Sequence, residues 1–233
     1  MIDWHSHILP GMDDGSKDAA ESISMLEMQA SQGVTTVVAT PHFYANDETV
    51  ASFIERRRKA LEVLQPQLPA NAPKIRLGAE VRYYQGISRL EGLKDLRVEN
   101  SKLLLLEMPM GVWTESMVRE LVELSGKSGI RLVLAHVERY MKLQKSSVWD
   151  RIMESGIMMQ VNANFFTSLA SKRKAISLLE GGVVQFVGSD CHNTTTRPPI
   201  LGKAYEVIRK KLGADYLDQM NQYGDSLFTT IQS

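Results

Sequence analysis

The sequence predicts a parallel α/β fold that closes as a β/α barrel, and two observations support this prediction. Seven apolar runs of strand length alternate with amphipathic segments along the 233 residues, as in chains built from repeated βαβ units. Several of these runs, such as Leu103–Leu106, are continuously apolar, which is typical of parallel strands buried on both faces. A doubly wound open sheet is the alternative architecture. We interpret residues 1–233 as a single domain.

The individual elements follow from local patterns. The first helix is expected to begin at a capping box formed by Asp18 and Glu21 and to end at Gly33. Apolar residues at helical spacing predict further helices across residues 50–64 and 117–122. The proline-containing segment 65–74 is expected to be a surface loop, and residues from about 214 onward a terminal helix and tail. The seven predicted strands are Ile2–His7, Val34–His42, Ile75–Val81, Leu103–Glu107, Arg131–His136, Met158–Asn162 and Val184–Ser189.

Composition argues against several classes of function. Basic and acidic residues number 27 each, so nothing suggests a nucleic-acid-binding protein. The basic runs 56–59 and 172–174 lie on predicted helices, and we expect them to form mostly solvated faces. No apolar run is long enough to cross a membrane, and the first residues lack the pattern of a secretory signal. Cys191 is the only cysteine, which excludes an intrachain disulfide and favours a cytoplasmic location.

The five histidines share one position in this pattern. Each lies at or just past the C-terminal end of a predicted strand, which is the edge where parallel β/α barrels assemble their active sites. Histidine is also the commonest metal ligand in proteins. Residues two apart on a strand project to the same side, so the pairs His5/His7 and Asp190/His192 each offer two ligands to one site. The histidines are His5, His7, His42, His136 and His192.

Four carboxylates occupy equivalent positions. Glu80, Glu107 and Asp190 end apolar strands, where an acidic group is costly unless it is paired or bound to a metal. Asp14 follows in the first loop, and Asp13 is its alternative if that loop is shifted by one residue. Mixed imidazole and carboxylate ligands favour manganese, iron or zinc over calcium or magnesium. Nine candidate ligands are too many for one ion, so we expect two or three divalent metals.

Six motifs occur in an order that resembles a known family. They are Asp3–Gly15, Thr40–His42, Gly78–Glu80, Leu106–Pro109, His136–Tyr140 and Gly188–Asn193. This set resembles the polymerase-and-histidinol-phosphatase (PHP) superfamily. More narrowly, it resembles the bacterial tyrosine phosphatases encoded in capsular and exopolysaccharide loci. The resemblance spans residues 1 to about 200, and the combined motifs are far more specific than a single His-x-His would be.

The resemblance implies a fold and a set of residue roles. The fold would be a distorted seven-stranded β/α barrel of the TIM type, with a trinuclear metal site for manganese, or else for iron, zinc or cobalt. Arg139 and Arg197 would guide the substrate, because guanidinium groups grip phosphate oxygens in bidentate fashion. The three metals would be held by His5, His7, Glu80 and Asp190; by Glu80, Glu107 and His136; and by Asp14, His42 and His192.

These roles lead to an expected reaction. A metal-activated hydroxide would hydrolyse phosphotyrosine without a covalent enzyme intermediate. The catalytic set would comprise the five histidines with Glu80 and Asp190, and Arg139 and Arg197 would neutralise the phosphoryl oxygens. By resemblance, the partner would be the phosphotyrosine tail of a bacterial tyrosine kinase that acts in capsule or exopolysaccharide synthesis. We expect neither a nucleic-acid partner nor membrane insertion.

Other functions remain open from the sequence. A small-molecule phosphatase, such as a histidinol-phosphate phosphatase, would use the same ligands. The metal ligands determine the reaction, whereas the residues that line the pocket determine the substrate. A non-catalytic metal-binding module and an amidohydrolase-like C–N hydrolase are further alternatives. Cys191 and Arg197 stand in the Cys-x5-Arg spacing of cysteine-dependent tyrosine phosphatases, but the residues between them include no glycine. We therefore expect Cys191 to be a small wall residue that points away from the metals.

Overall fold

Nine short strands form the centre of the molecule. The computed structural model describes residues 1–228, and every strand pair within that range is parallel. A three-stranded sheet has the order β1–β2–β4, and a six-stranded sheet has the order β3–β5–β6–β7–β8–β9. The strands are β1 (Ile2–Ser6), β2 (Thr36–Ala39), β3 (His42–Phe43), β4 (Lys74–Leu77), β5 (Glu80–Arg82), β6 (Leu103–Glu107), β7 (Arg131–Leu134), β8 (Met158–Asn162) and β9 (Phe186–Gly188).

Two of the seven predicted strands are split in the structure. The predicted strand 34–42 forms β2 and β3, which are separated by Thr40 and Pro41, and proline has no amide to donate to a strand ladder. The predicted strand 75–81 likewise forms β4 and β5, with a break at Gly78 and Ala79. The first strand of each pair joins the small sheet, and the second joins the large sheet.

The strands form a curled parallel sheet with the shape of a half-barrel. Its first and last strands approach each other, because Ser6 and Cys191 form an isolated parallel bridge. The Asp190 amide also donates to the His5 carbonyl at 2.8 Å. The parallel α/β class is therefore confirmed, whereas a complete seven-stranded TIM barrel stays a prediction.

Helices follow the strands along the chain, as predicted. Asp18 caps the first helix by accepting a hydrogen bond from the Glu21 amide, and Gly33 follows its end with a φ of 83°. The stripe predicted over 50–64 is a helix with those bounds. The helices are α1 (Ala19–Ser31), α2 (Val50–Leu64), α3 (Glu115–Ser125), α4 (Ser146–Glu154), α5 (Asn164–Thr167), α6 (Lys172–Glu180), α7 (Leu201–Leu212) and α8 (Ala214–Ser226). The predicted tail after α8 lies largely outside the described residues.

Apolar side chains cover both faces of the sheet. The outer face packs against the helices in the larger core, and the inner face contains a second cluster. Trp4 belongs to that inner cluster, with its ring 4.6 Å from the ring of Phe186. The inner cluster consists of Ile2, Trp4, Val38, Val98, Leu103, Leu105, Val133, Ala135, Met158, Phe186 and Leu227.

Arg57 differs from the rest of the basic run 56–59. Its side chain is buried. Its guanidinium donates to the Gly78 carbonyl at 2.6 Å, which satisfies a carbonyl at the break between β4 and β5. The other three residues of that run carry partly or fully exposed side chains.

Candidate metal centre

All nine predicted ligands lie at the C-terminal edge of the sheet. His5 belongs to β1, and His7 and Asp14 follow that strand. The other six begin, end or follow strands of the large sheet: His42, Glu80, Glu107, His136, Asp190 and His192. Because the strands are parallel, their C-terminal ends meet at one edge, and residues up to 187 positions apart in the sequence become neighbours. Most of these side chains are buried.

Glu80 lies at the centre of the cluster. Its Oε2 atom is 3.2 Å from His5 Nε2, 3.3 Å from His7 Nε2 and 3.1 Å from His42 Nδ1. Its Oε1 atom is 2.8 Å from His136 Nε2. Burial alone would raise the pKa of Glu80, but the surrounding imidazoles hold it well below its ordinary value. Glu80 is therefore an ionised carboxylate in contact with four histidines.

Asp190 and Asp14 lie on the other side of the cluster. Asp190 Oδ1 is 3.7 Å from His5 Nε2 and 3.6 Å from His7 Nε2. Asp14 Oδ1 is 3.5 Å from both His42 Nε2 and His192 Nε2. Asp190 is buried, whereas the Asp14 side chain is 67% exposed. The cluster is thus closed by protein on one side and open to solvent at Asp14.

The ligand atoms fall into three compact groups. Within each group, all atoms lie within 4.8 Å of one another, a spacing that a single ion can bridge. His7 joins two of the groups. His136 lies beside the third, 2.8 Å from Glu80 and 3.6 Å from Glu107. The groups are His7–Asp14–His42–His192, His5–His7–Asp190 and His42–Glu80–Glu107.

Asp13 and Asp14, the two loop candidates, have different surroundings. Asp13 Oδ2 lies 2.7 Å from His7 Nδ1 and accepts a hydrogen bond from the His42 amide at 2.8 Å. Asp14 instead faces His42 and His192. A carboxylate on the second nitrogen of a ligand histidine holds its ring and tautomer. The geometry therefore favours Asp14 as the ligand and Asp13 as the group that orients His7.

Sequence reasoning missed two residues that orient the histidines. Gln160 Oε1 accepts from the His136 amide at 2.7 Å and lies 3.2 Å from His5 Nδ1. The Tyr140 hydroxyl lies 3.3 Å from His136 Nδ1 and donates to the Met108 carbonyl. A polar residue inside an otherwise apolar strand was the available signal for Gln160, because such a residue needs a partner when buried.

Backbone conformation places two of the ligands. His136 and Asp190 have positive φ angles, 34° and 52° respectively. Such left-handed conformations are uncommon outside glycine and cluster at functional sites. They end the predicted strands early, since β7 stops at Leu134 and β9 at Gly188. The turn after each strand brings the side chain back toward the cluster.

Arg139 and Arg197, the two predicted arginines, converge on Asp190. Arg139 Nη2 donates to Asp190 Oδ2 at 2.6 Å, and Arg197 Nη2 donates to Asp190 Oδ1 at 2.9 Å. Both side chains are partly exposed and line a cavity of about 260 Å³ beside the cluster. Asn162 also lines it and donates to Asp190. Guanidinium donors that remain exposed there can bind an anion.

A third arginine, which the sequence analysis did not select, stands at the opposite side. Arg82 Nη1 donates to Glu107 Oε2 at 2.6 Å, and the Arg82 side chain is partly exposed. Nearby, Tyr44 lies beside His42 with ring centroids 5.4 Å apart. Partial burial and the carboxylates of Glu107 and Glu80 raise the pKa of Tyr44. An aromatic ring and a cation therefore border the cluster opposite Asp190.

Cys191 has the surroundings of a wall residue. It is fully buried in the core between the sheet and the helices, where its sulfur lies 3.7 Å from Gln29 Nε2. Burial and the neighbouring Asp3 raise the pKa of its thiol well above the ordinary value. A reactive cysteine needs the opposite, a lowered pKa and access to solvent. The geometry therefore argues against a thiolate mechanism at Cys191.

The fold is similar to that of two solved phosphatases. A histidinol phosphate phosphatase from Lactococcus lactis has a similar fold, with a TM-score of 0.53 and 11% identity over 90% of this chain and 92% of that chain. A second solved structure is more similar. It is one of the metal-dependent tyrosine phosphatases YwqE from Bacillus subtilis and CpsB from Streptococcus pneumoniae. It has a TM-score of 0.79 and 27% identity over 98% of this chain and 94% of that chain.

The sequence places the chain within one family. The family model for capsular polysaccharide synthesis, CpsB/CapC, matches residues 1–225. The tyrosine-protein phosphatase CpsB of Streptococcus pneumoniae is 34% identical over 92% of each chain. The chain belongs to the CpsB/CapC family, and the family resemblance predicted from the six motifs is confirmed.

Proposed function

We propose that this protein is a metal-dependent protein-tyrosine phosphatase. The observation that carries the proposal is the convergence of five histidines and four carboxylates on one edge of the sheet, with two exposed arginine side chains beside them. Its relatives are named tyrosine-protein phosphatases, and the more similar solved structure is described as metal-dependent. The distant histidinol phosphate phosphatase shares the fold alone. A small-molecule phosphatase therefore has weaker support than a protein-tyrosine phosphatase.

The residues present fit divalent metal ions. Nδ1 of His42 and Nε2 of His192 are buried and lie 3.1 Å and 3.5 Å from carboxylate oxygens, yet neither makes a hydrogen bond within residues 1–228. Buried polar atoms without partners are rare, and an ion is one of the groups that satisfies them. His5 Nε2 and His7 Nε2 also face each other at 3.2 Å. Imidazole and carboxylate ligands of this kind suit manganese, which we propose, or iron, zinc or cobalt.

We assign the ligands in three sets. Glu80 would be shared between two metals, in agreement with its central position among the histidines. Asp14 completes the outermost set, and its exposure leaves a path for substrate. The sets are His5, His7, Glu80 and Asp190; Glu80, Glu107 and His136; and Asp14, His42 and His192. Bound metals would supply Lewis acidity and an activated water for attack on phosphorus.

The chain's own residues would bind and orient the phosphoryl group. Arg139 and Arg197 present guanidinium donors at the cavity beside Asp190, where they would neutralise the phosphoryl oxygens. Asp13 holds His7 Nδ1, and Gln160 lies against His5 Nδ1, so Nε2 of each ring faces the cluster. Cys191 is buried behind the sheet, so its thiol cannot reach a phosphoryl group at the cluster. We therefore propose direct hydrolysis without a phosphoenzyme.

The remaining alternatives have less support. A non-catalytic metal module would be closed by protein ligands, whereas this cluster opens at Asp14. An amidohydrolase-like enzyme usually requires a carboxylated lysine between its metals, and none of the nine strands described within residues 1–228 ends in a lysine.

We also propose the biological setting that the family suggests. The substrate would be the phosphotyrosine tail of a bacterial tyrosine kinase in capsule or exopolysaccharide synthesis, met in the cytoplasm. Among the described residues, no helix has the length and apolar character needed to cross a membrane. We further propose that the sheet closes as a distorted seven-stranded barrel, for which the Ser6–Cys191 bridge is the support.

The test is phosphate release from a phosphotyrosyl peptide by chelator-stripped protein, with and without Mn²⁺. We expect no release from the stripped protein and release after Mn²⁺ is added, because the ligands are assembled but lack Lewis acidity without the metal. Equal activity in both states, together with a protein shown to be metal-free, would contradict the proposal.

Two variants complete this test. Cys191→Ser should retain turnover, since the sulfur lies outside the cluster, whereas Glu80→Gln should lose it because Glu80 contacts four histidines. Loss of turnover by orders of magnitude in Cys191→Ser would revive the thiolate mechanism.

A further inference from the structure

We propose that Tyr44 is a specificity-determining residue whose ring takes the aromatic ring of an aryl phosphate. The inference rests on the proposed function and deepens it, since it explains why a phosphate on a phenyl ring would be preferred to a phosphate on an alkyl chain. Tyr44 follows β3 by one residue, and it stands two residues after His42.

Tyr44 lies beside the ligand cluster, at its border with solvent. Its ring lies 5.4 Å from the His42 imidazole, with an angle of 31° between the planes. The side chain is 39% exposed, so part of the ring borders solvent. His42 in turn lies 3.1 Å from the central carboxylate of Glu80. A phosphoryl group at the cluster would therefore place its ester substituent within reach of this ring.

The chemistry of an aryl phosphate matches this arrangement. Its phosphate is an anion for the metals and arginines, and its ring is apolar. Aromatic rings pair in offset or tilted arrangements and gain affinity beyond the burial of their area. An alkyl phosphate would gain none of this ring pairing. Tyr44 would thus favour an aryl phosphate over an alkyl phosphate, although the metal ligands bind the phosphate group of both in the same way.

The edge of the sheet that holds the cluster is also unusually apolar. Of the eight large apolar side chains exposed within residues 1–228, four lie in segments between a strand and the next α-helix, and a fifth lies between α5 and α6. Leu169 is the extreme case, at 94% exposure. Exposed apolar groups gathered at one place mark a binding surface. The five are Tyr44, Met110, Val112, Leu143 and Leu169.

The test compares two phosphonates that cannot be hydrolysed. Phenylphosphonate and methylphosphonate share the anionic group and differ in the ring, so the ratio of their dissociation constants isolates the ring contact from the chemistry. In Mn²⁺-loaded protein, measured by calorimetry, we expect Tyr44→Ala to weaken phenylphosphonate binding about tenfold, the upper range for one aromatic pair. Methylphosphonate binding should be unchanged.

Two further variants serve as controls. Tyr44→Phe keeps the ring and should keep the preference for phenylphosphonate. Tyr223 on α8 is similarly exposed, at 40%, and Tyr223→Ala should bind both phosphonates as the wild type does. If Tyr44→Ala keeps the phenyl preference, or loses both ligands equally, the inference is overturned.

Failure of the proposed function would look different. Wild-type protein that hydrolyses the phosphotyrosyl peptide, while Tyr44→Ala keeps the phenyl preference, would overturn the inference alone. Wild-type protein that releases no phosphate with Mn²⁺ would overturn the proposed function, and this inference with it.

Discussion

In His5, His7 and His136, the ring nitrogen that faces away from Glu80 contacts a polar side chain that orients the ring. His7 illustrates this at the scale of one residue. Burial alone would lower the pKa of His7, but hydrogen bonds to Asp13 and Glu80 raise it to about 10. The bond to Asp13 also holds the pKa of that carboxyl well below its ordinary range. Asp13 is therefore ionised and holds His7 with Nε2 toward Glu80.

Removing the charge of Asp13 should weaken metal binding. An amide at this position supports the His7 ring less strongly than a carboxylate does, and partners behind a metal ligand typically change affinity by about 10- to 100-fold. We expect Asp13→Asn to bind Mn²⁺ more weakly by that factor, as measured by calorimetry on stripped protein.

The control for this prediction is Asp150→Asn, an exposed aspartate on α4, which should bind Mn²⁺ as the wild type does. An unchanged affinity in Asp13→Asn would show that Asp13 does not orient His7.

At the scale of elements, the close approach of β1 and β9 depends on Gly188. A Cβ atom at Gly188 would lie 2.5 Å from His5 Cβ and 2.9 Å from the His5 amide nitrogen. Backbone and Cβ atoms cannot move away without shifting a strand. The strand β1 also contains a bulge, since its register with β2 shifts between Asp3 and Ser6. Glycine and the bulge together bring His5 against β9.

Gly188→Ala should therefore be strongly destabilising. The overlap forces β1 and β9 apart, and overpacking of this kind costs about 1–3 kcal/mol or more. We expect a lower midpoint of urea unfolding and a weakened affinity for Mn²⁺, because His5 moves with its strand.

Gly126→Ala is the matched control. Gly126 follows α3 with a φ of −76°, and the nearest atom to an added Cβ is 3.6 Å away. Alanine there should stabilise the fold slightly, through the unfolded chain. Equal stability of the two variants would show that β1 and β9 are not held this closely.

A second contact between elements ties α3 to the loop after β5. Glu120 accepts hydrogen bonds from the Tyr83 hydroxyl at 2.8 Å, the Gly86 amide at 2.9 Å and the Ser88 amide at 3.1 Å. Burial alone would raise the pKa of Glu120, but these hydrogen bonds lower it below its ordinary value. Because the folded pKa is depressed, this stabilisation is fully present above the unfolded pKa and is lost as the pH falls through the folded pKa.

Glu120→Gln should show that dependence. At neutral pH we expect it to lower the free energy of unfolding by about 1 kcal/mol, since charged hydrogen bonds are strong but this group is partly exposed. The deficit should shrink as the pH falls below about 4.3, the ordinary pKa of glutamate. Urea unfolding at several pH values measures it. Glu123→Gln, an exposed neighbour on α3, should show no such trend, and a constant deficit in Glu120→Gln would contradict this account.

At the scale of the whole molecule, the candidate metal centre joins strands from every part of the chain. Its proposed ligands come from β1, β3, β5 and β6, from the loop after β1 and from the turns after β7 and β9. Metals bound there would cross-link these strands in the folded state only. Any ligand that binds the folded chain alone stabilises it by mass action.

Chelation should therefore lower the unfolding temperature, and Mn²⁺ should restore it. At a free metal concentration of about 100 times Kd, the stabilisation is about 2.7 kcal/mol, which corresponds to about 5–10 °C for a chain of this size. Differential scanning calorimetry measures the shift. Glu80→Gln lacks the central carboxylate and should respond much less to Mn²⁺. If chelation removes the metal but leaves the unfolding temperature unchanged, a cross-linking role is contradicted.

The sequence by itself determined the class of fold and the membership of the cluster. Alternating apolar and amphipathic segments are a local property, and parallel strands bring their C-terminal ends to one edge whatever the details of the turns. Each histidine and acidic residue that follows an apolar run therefore had to lie near that edge. This is why positions as far apart as His5 and His192 could be assigned to one site without a structure.

Only the tertiary structure decided how these residues are arranged. The choice between Asp13 and Asp14 depends on which carboxylate meets His7 Nδ1 across the first loop. The breaks that split two strands, and the left-handed turns at His136 and Asp190, depend on how backbones meet across the sheet. The contacts of Gln160 with His5 and His136 likewise join residues from different strands. Such through-space contacts leave no periodic signal in the sequence, because they depend on the distances between strands and not on spacing along one strand.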